Sequence, residues 1–423
     1  MRDRADAAAP AARPKGRMGE YAPYVLTVGA IWLGWQILLQ PVIQRAPPEI
    51  SVRVAPGSPM VLRRAAEAEL VAGHANEDAR RFENAAVLAR ESLARAPFSV
   101  RALRVIGLAE ARAGREAAAN DILTLAGNWS LRDDPAHAWL VDHRLKRGDY
   151  ASAFAHADTL VRRREDIRPQ VFRLFTVAAT HDTARALPEV ARLLALGPPW
   201  RQTYLDSLYE NVEGLQVAVN LAVLLQHTKA PLSNAELTQF YMHLLDKGQI
   251  QAVRTVRERL NRPPAAPISN GGFGDPAAPQ PFQWRLAQEV GAVVEIVPDE
   301  IRPSDPALRI AYDGYSTVQF AEQLLLLSPG RYRLTAQVRA EAGEPSEHLI
   351  WSVTCAPGDL RILSAPAIGP SATAWGPLSL DFTVSEACVG QWLRLESRGG
   401  DRRKSNVAWI DRVAITPLSA VRN

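Results

Sequence analysis

Three patterns of apolar and polar residues succeed one another along the chain, and each predicts a different kind of element. Residues 21–44, YAPYVLTVGAIWLGWQILLQPVIQ, carry no charge. At about 1.5 Å per residue such a run covers a bilayer core of roughly 30 Å, which predicts a transmembrane helix. From residue 61 to about 262, apolar residues recur at the three-and-four spacing of amphipathic helices. RPPAAPISNGGFGDPAAPQPFQW then breaks the pattern with proline, glycine and aromatics. Beyond it come GAVVEIV, LRIAYD, RYRLTAQVRA, EHLIWSVTC, LSLDFTV, QWLRLES and VAWIDRVAI, short runs with strand-like alternation. Seven or eight strands at this spacing predict a β-sandwich. The expected fold class is α+β multidomain: a transmembrane helix, an α-solenoid of helix pairs, then the sandwich.

The helical part repeats. Arg80, Gly114 and Gly148 are spaced by 34 residues, and five positions after each stands an alanine: Ala85, Ala119, Ala153. RRFENAAVLARESLARAP, GREAAANDILTLAGNWSL and GDYASAFAHADTLVRRRE overlay without a gap. This pattern resembles the tetratricopeptide repeat, with Gly107, Gly114, Ala119 and Ala126 at its small positions and Pro97 closing the repeat before. Small residues let the two helices of a pair approach, and each pair leaves an apolar side that only the next can cover. Val141 and Leu187 stand where the repeat has small residues, so the later pairs are degenerate. Five or six pairs are expected, with helix, turn, helix in 76–97 and in 100–130 and Gly114 between two antiparallel helices. The resemblance implies a protein partner on the concave face, without naming a residue for it.

The segment 268–418 resembles the jelly-roll carbohydrate-binding modules, through NGGF, QLLLLSPGRYRLTAQVRA, WGPLSLDFTV and VAWIDRVAI. In the second of these, Gln323 precedes a strand, and Tyr332, Leu334, Ala336 and Val338 alternate inward. Sugar binding would need exposed aromatic platforms, and the candidates are Tyr312, Tyr315, Trp375 and Trp392, each with a core position as the alternative. Trp284, Trp351 and Trp409 fall within strands and read as core. The resemblance also leaves room for a structural calcium at Asp411, with Asp275 substituting for the acid that Gly274 replaces. No other cofactor is expected.

The expected domains are a basic tail at 1–20, the anchor at 21–44, a linker at 45–60, repeats at 61–262, a Pro/Gly-rich linker and domain entry at 263–281, and the jelly roll at 282–418. Arg2, Arg4, Arg13, Lys15 and Arg17 outnumber Asp3, Asp6 and Glu20 before the apolar run, which favours a cytoplasmic N-terminus. The bulk of the chain then lies in the periplasm, held to a bacterial inner membrane by one pass. A cleaved signal peptide is the rival, against which stand the length of the apolar run and the lack of a convincing A-x-A site. Cys355 and Cys388 are the only cysteines, and an oxidising compartment favours their pairing. The net charge of +4 comes from arginines interleaved with acids, which reads as solvated helix faces rather than a nucleic-acid surface.

Catalytic patterns are missing. GYSTV at 314–318 lacks the second glycine of a nucleophile elbow, His137 and His143 are six apart, and no Cys-x-x-Cys or phosphate loop occurs. The expected function is non-enzymatic: a periplasmic scaffold whose repeats hold a protein and whose jelly roll meets polysaccharide or a second protein, by analogy in surface-polysaccharide assembly or export. The alternative is a glycan-active hydrolase or esterase with an appended module.

Overall fold

The computed structural model describes residues 18–260, 267–274, 278–341, 348–358, 360–368 and 373–418, without the side chains of 18–22, 36, 39–42 and 44. The basic tail up to residue 17 and Asp275 lie outside the described residues. The chain divides into two compact units, 1–160 and 161–423.

The first unit opens with α1 (Met18–Arg45), whose described large apolar side chains from Tyr24 to Leu38 are all exposed, the least of them Leu33 at 53%, while Ile43 near its end is half-buried. Among the described residues no helix is long and apolar enough to cross a membrane. The expected span 21–44 lies within α1, and five of its side chains from 36 to 42 fall outside the described residues. The end of α1 is tied down: Arg64 donates to the Ile43 and Ala46 carbonyls at 3.1 and 3.3 Å, and Ser51 Oγ donates to Ile43 at 2.9 Å. These donors satisfy carbonyls that a helix terminus leaves open. The expected linker at 45–60 contains a helix of its own, α2 (Pro48–Val54).

Three helix pairs follow: α3 (Pro59–Asn76) with α4 (Ala79–Arg95), α5 (Val100–Arg112) with α6 (Glu116–Trp129), and α7 (Asp134–Lys146) with α8 (Tyr150–Val161). Residues 79–95 are thus one helix and not the pair expected over 76–97. Its partner is α3, and the turn falls at Glu77 and Asp78, where Glu77 has φ 52° and the Asp78 carboxylate accepts from Arg80 N at 3.0 Å. Gly114, with φ +75°, does turn the chain between α5 and α6. Ala85, Ala89, Ala102, Ala119 and Ala126 are fully buried between helices. A Cβ on Gly107 would stand 2.5 Å from Leu123 Cγ, so α5 and α6 approach as closely as only glycine permits.

The second unit begins with α9 (Arg168–His181), α10 (Ala186–Ala195), α11 (Arg201–Leu208), α12 (Val212–Gln226), α13 (Asn234–Asp246) and α14 (Ile250–Arg259). Ten strands follow: β1 (Arg285–Leu286), β2 (Ala292–Asp299), β3 (Arg302–Tyr312), β4 (Gln319–Leu325), β5 (Gly330–Ala340), β6 (Leu349–Ala356), β7 (Arg361–Pro366), β8 (Gly376–Val384), β9 (Gly390–Ser397) and β10 (Asn406–Pro417). They form two five-stranded antiparallel sheets, ordered β1-β4-β9-β6-β7 and β2-β3-β10-β5-β8. Leu308, Ile310, Leu334, Trp351, Val353, Leu393 and Leu395 fill the space between them. Cys355 and Cys388 are disulfide-bonded across a Cα separation of 5.2 Å.

The change of pattern near residue 263 is a change of secondary structure but not of compact unit. Arg254 of α14 donates to the carbonyls of Leu326, Leu327 and Val389 at 3.2, 3.2 and 2.7 Å. Arg257 lies 3.8 Å over the Phe282 ring, and Phe282 meets Tyr241 edge-on at 5.2 Å. The residues expected as linker and domain entry are therefore partly core, with Ile268 and Phe273 buried at 5% and 3% exposure.

Candidate functional site

The first helix of each pair in the first unit contributes to one groove of about 710 Å³, lined from α3, α5 and α7 with Phe82 of α4. Leu70 and Val71 of α3, Leu108 of α5 and Trp139 of α7 make its apolar wall, and Val71 is 69% exposed. Several lining positions repeat at the 34-residue period: His74, Leu108 and Asp142, then Leu70 and Arg104, then Arg112 and Lys146. The spacing that builds the stack therefore also aligns the groove.

An ion network crosses its floor. Glu67 accepts from Arg63 at 2.9 Å and from Arg104 at 2.7 Å, and Arg104 reaches on to Asp133 at 3.2 Å. Asp133 is buried at 3% exposure and also accepts from Ala136 N at 3.2 Å, capping α7. Losing Arg104 would leave a buried carboxylate unpaired, so this residue holds the groove together as well as lining it. At the rim, Lys146 is paired with Asp142 at 2.7 Å. Arg112 differs: it meets His74 Nδ1 at 2.7 Å and the Phe82 ring at 5.9 Å, and among the described residues no carboxylate. An apolar wall beside a cation without an anionic partner suits an extended segment carrying apolar side chains and an acid.

Behind the groove, His137 and His156 face each other Nδ1 to Nδ1 at 2.9 Å. Burial pushes the His156 imidazole down to about 4, helped by the charges of Arg144 and His137, while Asp149 pulls the other way. The folded state favours neutral His156, whereas the unfolded chain takes up its proton near pH 6.5. This stability is full above about pH 6.5 and is lost progressively as pH falls toward about 4. The melting temperature should fall on acidification through that window, and His156→Gln should flatten the slope. An unchanged slope in that variant would assign the acid lability elsewhere.

In the second unit, α9 and α11 line a groove of about 790 Å³ with Phe172 and Val177 on its wall. Glu165, Asp206, Glu210 and Glu213 there outnumber Arg168 and Arg173.

The sandwich separates the four aromatic candidates. Tyr312 is core: it is 1% exposed, packs edge-on to Phe320 at 5.2 Å and donates to the Ser316 carbonyl at 2.6 Å. It cannot serve as a platform, because β3 alternation points it between the sheets. Trp375 is half-buried, with its indole N–H given to Asp299 at 2.7 Å and its ring covered by Arg302 at 4.3 Å. Burial raises the Asp299 carboxyl, but the Trp375 N–H and Arg339 outweigh it and hold the group below its ordinary range. Trp392 is half-buried on the outer face of β9 beside Arg394. Tyr315 is 53% exposed, with Arg403 5.9 Å from its ring. Trp392 sits at the start of β9 and Tyr315 packs near Gly399 past its end, about 20 Å away at roughly 3.3 Å per residue. The candidates do not form one site.

Asp411 does not fit calcium. It is 1% exposed and its carboxylate faces Arg302 at 3.4 Å and Arg412 at 3.6 Å, cations where an ion would need oxygens. Burial raises this carboxyl above its usual range. Among the described residues no group of three acids, histidines or cysteines could hold a metal. Trp409, expected in the core, is buried instead on the outer face, between Arg309 at 5.9 Å and Arg339 at 5.2 Å.

No family model and no curated protein matches the chain. Among solved structures it is similar to one described as "CBM4 structure and function", at 15% identity and TM-score 0.28, covering 36% of this chain and 99% of that one. The CBM22-1 xylan-binding domain from Paenibacillus barcinonensis Xyn10C gives 14% identity, TM-score 0.26, and coverage of 33% and 89%. The N-terminal cellulose-binding domain from Cellulomonas fimi β-1,4-glucanase C gives 18%, 0.23, and coverage of 37% and 100%. At these identities and scores, nothing about a ligand carries over to this chain.

Proposed function

We propose that this chain is a non-enzymatic, membrane-anchored scaffold whose helix pairs are tetratricopeptide-like repeats that hold an acidic, partly apolar protein segment. The observation that carries this reading is the groove of α3, α5 and α7, where an apolar wall adjoins Arg112 and the lining follows the 34-residue period. Anchoring is supported by the absence of charge over 21–44 and by the exposed apolar side chains of α1. In this reading the N-terminus is cytoplasmic, and the repeats and sandwich lie in the periplasm of a bacterial cell. The sandwich then meets polysaccharide or a second protein, and Tyr315, exposed beside Arg403 and the RGGDRRKSN loop, is its most accessible aromatic contact. Surface-polysaccharide assembly or export is the setting this combination suits.

The test is site-specific photo-crosslinking in cells, with the crosslinker at Leu108 in the groove or at Val87 on α4. One discrete adduct from position 108, missing from 87 and lost on Arg112→Glu, is the expected result. Equal adducts from both positions, or one that survives Arg112→Glu, would remove the groove as the binding site.

A further inference from the structure

Because the helices of the first unit alternate in direction, turns inside the pairs fall on one edge and connections between pairs on the other. The inner turns, at 77–78, 113–115 and 147–149, contain only Glu, Asp, Ala, Gly and Arg. The connections are different. Phe98, between α4 and α5, is 84% exposed; Trp129, the last residue of α6, and Leu131, between α6 and α7, are 46% and 63% exposed. The rings of Phe98 and Trp129 stand 5.9 Å apart, so the two connections share one apolar patch. The short helix α2, which leads into the same edge, exposes Ile50 and Val54. Arg45, Arg53, Arg95, Arg101 and Arg132 lie within five residues of these positions along the chain and are all exposed, Arg95 with a surface pair to Glu91 at 2.8 Å.

This edge is continuous with the end of α1. Arg64 of α3 holds the Ile43 and Ala46 carbonyls, and Ser92 near the end of α4 donates to Pro59 at the start of α3 at 2.7 Å. Aromatic and aliphatic side chains flanked by arginines along the chain, next to the point where an apolar helix ends, match the chemistry of a bilayer interface, where rings sit at headgroup level and cations meet lipid phosphates. A protein partner of similar area would not call for arginines flanking the α4–α5 connection, within the α6–α7 connection and at the end of α1.

We propose that this edge of the first unit rests in the headgroup layer of the membrane, with Phe98, Trp129 and Leu131 inserted and the five arginines on anionic lipid. The proposal rests on the reading of α1 as an anchor. It also orients the groove: α3, α5 and α7 all start at this edge, so the groove runs away from the bilayer, and His74, Arg112 and Lys146 form its distal rim.

The experiment uses the full chain in phosphatidylethanolamine and phosphatidylglycerol vesicles containing headgroup spin-labelled lipid. A single added cysteine, from Phe98→Cys, Leu131→Cys or Ala113→Cys, carries an environment-sensitive fluorophore. Labels at 98 and 131 should lose most of their fluorescence to the lipid quencher while the label at 113, on the opposite edge, keeps it. Equal fluorescence at all three positions in protein that resists alkaline carbonate extraction would overturn the proposal and leave the anchor standing. Release by carbonate would instead sink the anchor reading, and the proposal with it.

Discussion

Arg254→Ala is expected to lower the unfolding free energy of the second unit by about 3 kcal/mol, the sum expected when hydrogen bonds from a charged donor to several half-buried carbonyls are lost together. The side chain is 19% exposed and satisfies Leu326, Leu327 and Val389 at once. These carbonyls lie just past the end of β4 and just before β9, where the sheet ladder no longer supplies partners. Without the guanidinium the Leu326 and Val389 carbonyls lose this partner, and Leu327 keeps only the longer bond from Gln391 Nε2 at 3.5 Å. Ile250 is itself packed so closely on Gly390 that any side chain there would collide with it, so the helix cannot tilt inward to compensate. Arg254→Lys keeps the charge but loses the planar fork and should fall between the two. Guanidinium denaturation of the full chain in detergent, followed by tryptophan fluorescence, reads the difference. A loss below about 1 kcal/mol, the scale of one ordinary hydrogen bond, would mean that Arg257, Phe282 and Ile250 hold the helices to the sandwich without it.

That docking explains a limit of the sequence pattern. The Pro- and Gly-rich stretch marks where helices give way to strands, since proline and glycine set local backbone geometry. Whether the two parts share a core depends on Arg254 finding carbonyls over seventy residues away, and no local pattern records that. Strands with two different faces were legible: LSLDFTV, QWLRLES and VAWIDRVAI became β8, β9 and β10. The rest was hidden for physical reasons. QFAEQLL is buried along nearly its whole length in β4, so it shows no alternation; Gln323 lies inside it and clamps Ser269, its Oε1 accepting from Ser269 N at 2.8 Å and its Nε2 donating to Ser269 O at 2.9 Å. The edge strand β1 has two residues, too few to show a period, and no residue of β7 is fully buried, so it carries no marked inward face. Among the site residues, the groove was visible in principle. His74, Leu108 and Asp142 stand at the same period as Arg80, Gly114 and Gly148, but the small residues of the second helices, which make the repeat visible, report packing and not the groove lining. Tyr312 and Tyr315, three residues apart, could not be told apart by composition, because only the turn made by Asp313, whose carboxylate accepts from Tyr315 N and Ser316 N at 2.9 and 3.0 Å, sends one ring inward and the other out.

Gly271→Ala should destabilise the sandwich by about 3 kcal/mol, while Gly272→Ala, one residue on, should change it by no more than about 0.5 kcal/mol. Neither glycine has the positive φ that would by itself exclude a side chain. The difference lies in what a Cβ would meet. At Gly271 it would fall inside the contact radius of the Val413 carbonyl oxygen, whereas at Gly272 the nearest atom is Asp411 Oδ1 at 3.9 Å. Val413 sits in the register shift of β10 between Asp411 and Ala414, where pairing with β5 lapses. Its N–H donates instead to Gly271 O at 2.8 Å. A methyl group at 271 must therefore lift the loop from β10, breaking that bond. The same motion pulls Asn270 away from the Trp284 indole, which donates to its carbonyl at 3.1 Å. It also exposes Phe273, buried at 3%. Backbone cannot yield as a flexible side chain can, which places the cost at the upper end of overpacking. Denaturation of both variants, monitored by near-ultraviolet circular dichroism of the buried tryptophans, separates them. Equal midpoints for the two would show that the NGGF loop is not seated on β10 and that the entry to the sandwich is held by Gln323 alone.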